Sequence, residues 1–180
     1  MNVKDRLAEF LAQEPTCDSG VFIASNAIVV GDVRIGKQSS IWYGSVLRGD
    51  INYIEIGNFS NLQDGVIGHL SDEKPLIVGN YVTVGHGAII HACRIEDECL
   101  IGMNATVLDG AVVGKQSIVA AGTVVPAGML IPPGSLVAGV PGTIKRQLGV
   151  EQRNGLKKWA EKYLHVARAH QELILAKLNF

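Results

Sequence analysis

An aliphatic residue returns at every sixth position over much of this chain, and that spacing constrains the fold more than any other feature. From Ile95 the series runs Ile95, Ile101, Val107, Val113, Val119, Val125, Ile131 and Val137 without a miss; an earlier one runs Ile23, Val29, Ile35, Ile41 and Leu47. A helix repeats at about 3.6 residues and a strand at about 2, so neither alone produces a beat of six. Such hexads indicate a parallel β-helix, in which three short strands make one triangular turn and every sixth side chain stacks inside. Narrow turns admit mainly small and β-branched side chains, which fits 21 glycines and an aromatic content of 6%. The predicted fold is therefore an all-β core of hexapeptide repeats. A short amphipathic helix is predicted over Lys4–Ala12, ending before Pro15. A long C-terminal helix is predicted over Gln152–Leu178, with an apolar stripe of Leu156, Trp159, Tyr163, Val166, Leu173 and Ile174. Gly139-Val140-Pro141-Gly142 reverses the chain between coil and helix. The natural division is 1–148 for the coil with its N-terminal helix and 149–180 for a helix lying on the coil or on a neighbour. Terminal helices can also block the open strand edges of the rod.

Charge and composition narrow the partners. A net charge of −1 with no basic run leaves no electrostatic footprint for nucleic acid or an anionic membrane. Met1–Arg6 is too charged for a signal peptide, and no apolar stretch nears the roughly 18 residues of a membrane span. Cys17, Cys93 and Cys99 are too few, and odd in number, for a disulfide framework. The expected compartment is the cytoplasm or an organelle matrix.

The beat breaks where the polar residues gather. Three residues are added near Arg48–Tyr53, four across Leu70–Pro75, and one is lost between Ile90 and Ile95. Insertions in a repeat scaffold become loops on one face, often the working face. One turn is three hexads, so His69 and His91, each directly after a hexad position and separated by that turn plus the four inserted residues, should stack on adjacent turns, about 4.8 Å apart. Arg48 falls one turn below on the same face. Gln63 and His86 belong to the preceding face, again one turn apart and so expected opposite each other. An extended backbone puts His86 roughly 16 Å from His91, and two histidines on one zinc can have Cα atoms at most about 13 Å apart. One chain cannot easily gather all three, but neighbouring copies could. Three histidines and an open position make a catalytic zinc site; equally, a histidine in a glycine-rich turn can be an ordinary solvated residue, and Arg48-Gly49-Asp50 a salt-bridged turn. Cys93 lies two residues from His91, so strand alternation places both on one side and leaves a ligand role open; small buried side chains are the plainer reading of Cys93 and Cys99.

Arg48-Gly49-Asp50, Asn61-Leu62-Gln63-Asp64-Gly65 with His69, Val84-Gly85-His86-Gly87 with His91-Ala92-Cys93, Leu100-Ile101-Gly102-Met103 and Ile131-Pro132-Pro133-Gly134-Ser135 resemble the signature segments of the gamma-class carbonic anhydrase family. The resemblance implies a left-handed parallel β-helix and a homotrimer with one metal at each subunit interface. It implies His69, His86 and His91 as metal ligands, Arg48 and Asp50 as an ion pair across the interface, and Asn61 and Gln63 as polar residues beside the reacting water. Zn2+ is the expected metal, with Fe2+ or Co2+ also suited to imidazole.

The implied reaction is hydration of carbon dioxide to bicarbonate. Zinc would lower the pKa of its bound water towards about 7, Gln63 would orient the reactants, and Asn61 would support Gln63. The family's active members carry glutamates where this chain has Ile51 and a shorter loop, which leaves Asp72 and Glu73 as the candidate proton acceptors, with plain solvated loop charge as the other reading of both. Asn104 stands where relatives have glycine, and Gly142 where they have alanine. A metal-dependent thioesterase acting on acyl-CoA, a metal-free acyltransferase and a catalytically silent trimer are the rival readings.

Overall fold

The computed structural model describes residues 1–178, so positions 179–180 of the C-terminal segment lie outside the described residues. The core is a left-handed parallel β-helix of about seven turns. The hexads form three interior columns. One side stacks Ile23, Ile41, Leu62, Val84, Ile101, Val119 and Val137. The second stacks Val29, Leu47, Gly68, Ile90, Val107 and Val125. The third stacks Ile35, Ile56, Val78, Ile95, Val113 and Ile131. From Ile35 onward the aliphatic members of all three columns are buried. Ile23 keeps the register yet is 36% exposed, because it sits at the open first turn.

The corners require left-handed backbone. Gln38, Phe59, Tyr81, Glu98 and Gln116 all have φ between 53° and 59° and form one edge of the prism. That conformation costs roughly 1–2 kcal/mol per non-glycine residue. Rungs of backbone hydrogen bonds offset it: Phe59 N donates to Lys37 O at 3.0 Å, Tyr81 N to Asn58 O at 2.9 Å and Glu98 N to Asn80 O at 2.8 Å. Another edge carries Gly44, Gly65, Gly87, Asn104 and Gly122, with φ from 54° to 70°. Asn104 is thus a left-handed corner filled by one of the few L residues at ease there. Gly142 is equally constrained, since a Cβ would lie 2.9 Å from Thr123 Cγ2 and 3.0 Å from Val124 O.

The first insertion is a bulge. Val46–Ile56 is one continuous strand paired with Ile28–Ile35, but the register jumps so that Gly31 faces Gly49 and Val33 faces Ile54. The two backbones close so tightly that a Cβ on Gly31 would sit 2.0 Å from Gly49 O. The second insertion closes on itself through Ser71 N to Lys74 O at 3.1 Å. It is tied down by Asn52 Nδ2, 3.2 Å from both Ser71 O and Asp72 O.

Helix α1 spans Val3–Phe10, slightly earlier than expected, because the Asn2 side chain caps it by accepting from Lys4 N and Asp5 N. Helix α2 spans Val150–Leu178. It buries Leu156, Ala160 and Ala167, and Ala167, Tyr163 and Val166 pack with Phe22, Ala24 and Trp42. The expected stripe is corrected at Trp159 and Leu173, which are 52% and 53% exposed; the alanines let the helix approach closely instead. On one side of the coil the final strand, Ser135–Ala138, is covered by Thr143–Gln147, which turns back antiparallel on it.

Candidate metal centre

His69 and His91 occupy matched positions on adjacent rungs. His69 Nδ1 faces His91 Nε2 at 3.1 Å. The outer nitrogen of each ring meets a carboxylate: His69 Nε2 lies 3.0 Å from Asp50 Oδ1 and His91 Nδ1 lies 2.6 Å from Asp109 Oδ1. A carboxylate only accepts, so it fixes the proton on the outer nitrogen of each neutral ring. The two inner lone pairs then point at one another. At 3.1 Å the two nitrogens are separated by a distance that two metal–nitrogen bonds of about 2.0–2.1 Å can span.

Asp50 is held on its other side by Arg48, which donates to Oδ2. In the single chain this pair is intramolecular, two residues apart along one strand, whereas the sequence reading has it cross an interface. Burial acts to raise the Asp50 carboxyl, but the hydrogen bonds from His69 and Arg48 outweigh it and hold it below the ordinary carboxylate range. Burial, the Arg48 charge and His91 together push His69 down, against the pull of Asp50, which favours the neutral ring a metal needs.

His86 is not part of this pair. Its Nδ1 lies 2.8 Å from Asp64 Oδ2, and it lines a cavity of about 410 Å³ together with Gln63, Met103, Trp159 and Tyr163. Gln63 Nε2 donates to Asn61 Oδ1 at 3.2 Å, and Asn61 Nδ2 to Thr83 Oγ1 at 3.0 Å, so both amides are buried and ordered. Among the described residues no group of three His, Cys, Asp or Glu side chains within one chain is arranged to hold a metal ion.

Two expectations need correcting. Cys93 does not share a side with His91, because Ala92 between them takes a left-handed corner at φ 45° and breaks the alternation. The thiol turns into the core, where burial pushes it up to about 12; Cys99 behaves alike, and neither offers a thiolate. Opposite His86 stands Asp64 rather than Gln63. Asp64 and Asp109 were not anticipated as partners, yet the same turn arithmetic marks them: Asp109 follows His91 by 18 residues, and Asp64 precedes His86 by one turn plus the four-residue insertion.

Residues 93–127 match the family model of the hexapeptide repeat of succinyl-transferase. A Methanocaldococcus jannaschii protein named "probable carbonic anhydrase" is 50% identical over 147 residues, covering 82% of this chain and 92% of its own length. This chain belongs to the gamma-class carbonic anhydrase family. The "Gamma carbonic anhydrase 2, mitochondrial" of Arabidopsis thaliana is 43% identical over 94% of this chain, which spans 61% of that protein's length. A Geobacillus kaustophilus carbonic anhydrase is 39% identical, with 91% and 90% of the two chains covered. Among solved structures, a hexapeptide transferase family protein from Anaplasma phagocytophilum superposes with a TM-score of 0.83 at 41% identity, over 86% of this chain and 92% of that one. A Bacillus cereus protein provisionally described as an acetyltransferase gives 0.88 at 38%, over 90% and 94%. This chain thus shares its scaffold with proteins described as transferases. No helix among the described residues is long and apolar enough to cross a membrane.

Proposed function

We propose that this protein hydrates carbon dioxide reversibly at a metal centre completed between copies of a homotrimer. His69 and His91 come from one chain and His86 from its neighbour. The observation that carries this reading is that all three imidazoles are backed alike: Asp50, Asp109 and Asp64 each engage one ring nitrogen, leaving the other for a metal. Carboxylate-backed histidines are the usual arrangement around protein-bound metals. Bonds of about 2.0–2.1 Å let one zinc ion accept two nitrogens across such a gap, so the residues present fit the group. When bound, zinc supplies Lewis-acid activation of water near neutral pH, and Fe2+ or Co2+ suits the same ligands.

The chain's own groups do the rest. Gln63 uses one amide hydrogen on Asn61 and keeps a second to orient an oxygen of carbon dioxide. Arg48 holds Asp50, and Asp50 holds His69. Each hydration releases one proton, and the Asp72 and Glu73 carboxylates line a cavity of about 490 Å³ with Asp109 and Ile51 where it can be accepted. Assembly is supported by exposed aliphatics on the His69–His91 face. Ile28, Ile67 and Ile89 are 56%, 39% and 42% exposed and lie along one ladder through Val46. Near His86, Met103 and Trp159 are similarly exposed. Surfaces of this kind favour contact with another chain. The three unpaired cysteines suit a reducing compartment, and we assign the protein to the cytoplasm.

A second reading, hydrolysis of a small acyl thioester, is favoured by the mainly apolar cavity beside His86, which exceeds what carbon dioxide needs. Stopped-flow hydration of carbon dioxide, run beside a panel of acyl-CoA esters with and without chelator, decides between them. Chelator-sensitive hydration without thioester cleavage supports the first reading, and the reverse result supports the second.

A further inference from the structure

Asp109 is an outward-facing carboxylate on a backbone bonded to the turns on either side. Its carbonyl accepts from Gly128 N at 2.8 Å on the turn above, and Gly110 N donates to Ala92 O at 2.7 Å on the turn below. Only side-chain torsions remain free. The side chain is 43% exposed, and among the described residues its only ion-pair contact is His91 Nδ1 at 2.6 Å. Asp50 differs, because Arg48 takes one of its oxygens and offsets its charge. Two carboxylates therefore flank the imidazole pair, and the one behind His91 is closer and carries no guanidinium. We infer that Asp109 is the positioning residue of His91: it holds the proton on Nδ1, aims the Nε2 lone pair at His69 Nδ1, and through its uncompensated charge raises the affinity of the pair for a divalent cation. Without that acceptor the ring can rotate, or take the other tautomer and place a hydrogen where the cation belongs. The carboxylate itself touches neither cation nor substrate.

The inference rests on the reading of the histidines as a metal centre, and the test separates the two. Wild type, Asp109→Ala and Asp109→Asn are compared as full chains stripped of metal, then titrated with zinc against a competing chelator. Asp109→Ala should weaken zinc binding by about 10- to 100-fold. Asp109→Asn, which keeps an acceptor without the charge, should recover part of that loss. In the metal-free proteins, imidazole nitrogen shifts should report His91 as the Nδ1–H tautomer in wild type and a mixture in Asp109→Ala, a readout that a merely structural role would not move. Unchanged affinity in Asp109→Ala, or an unchanged tautomer, overturns the inference. If wild type takes up no zinc, the metal reading and the affinity claim fall together, while the nitrogen shifts still decide whether Asp109 positions His91.

Discussion

A centre divided between chains can be rebuilt from two broken ones. A His69→Ala chain retains His86, and a His86→Ala chain retains the facing pair of His69 and His91, whose nitrogens lie 3.1 Å apart. In the proposed trimer, rings built of either variant alone contain no complete centre. Mixing equal amounts changes this if the chains form a head-to-tail ring, as a heterologous three-fold interface requires. Random assortment places both variants in about three-quarters of rings. Every mixed ring has one junction at which an intact pair meets an intact His86, whichever variant is in the majority. One centre in three, over about three-quarters of rings, is about a quarter of wild-type capacity. The control mixes His69→Ala with His91→Ala. Both lesions fall in the same half, so no junction is repaired. The variants are mixed in denaturant and refolded; trimer formation is confirmed by sedimentation, and zinc per chain is measured beside carbon dioxide hydration. Failure of the first mixture to regain zinc, with trimers intact, refutes the sharing of ligands between chains. Recovery in the control refutes the assignment of His69 and His91 to one half.

Three further outcomes follow from local geometry. In Gly68→Ala the new Cβ would stand 2.6 Å from Leu47 Cδ2 and 3.1 Å from Leu76 Cδ2. Both leucines are fully buried, so an overpacking cost of about 1–3 kcal/mol outweighs a backbone gain of at most about 1 kcal/mol; denaturant melts should show a loss that Leu47→Ala partly relieves, and a stabilised variant contradicts the packing. Asn104→Val forces a β-branched residue into φ 54° and should cost about 1–2 kcal/mol, with Asn104→Gly near neutral by the same melts. The Asp50 carboxyl is depressed in the folded chain, so its stabilisation is present above the ordinary value near about 3.9 and is lost as pH falls through the folded value; metal-free wild type and Asp50→Asn should therefore converge in stability on acidification, and parallel curves contradict the assignment.

The interior of this molecule was legible because one rule governs it. In a triangular coil each hexad commits one side chain to the inside, so the positions of Ile41, Leu62 or Val113 follow from counting, and the stacking of His91 on His69 follows from counting plus one insertion. Counting failed where the backbone left the regular strand. Strand alternation put Cys93 beside His91, but the corner at Ala92 inverts it. The helix stripe included Trp159 and Leu173 because they are apolar, whereas close packing selects Ala160 and Ala167, whose small size brings the helix axis nearer the coil. Asp64 and Asp109 were visible to the same arithmetic as the histidines but lacked a reason to be sought until the rings showed which nitrogen each carboxylate takes.

The carboxylates also bear on how a divided centre can work at all. Each chain holds too few ligands to bind a cation tightly alone, so under this reading the half-sites must be correctly aimed before the neighbour arrives; ordering three flexible imidazoles at the moment of assembly would cost about 0.5–1.5 kcal/mol for each ring. Here the rungs fix the Cα positions, with His69 in register with His91. Asp50, Asp109 and Asp64 fix the rings, and that ordering is already complete in the folded chain. A rigid β-helix suits this task better than a loop would, because its backbone is bonded to a turn on either side and closure requires only docking. Substitutions at the two exposed carboxylates, Asp64 and Asp109, should therefore weaken metal binding while leaving the coil, and its melting, unchanged, whereas loss of the buried Asp50 costs stability as well.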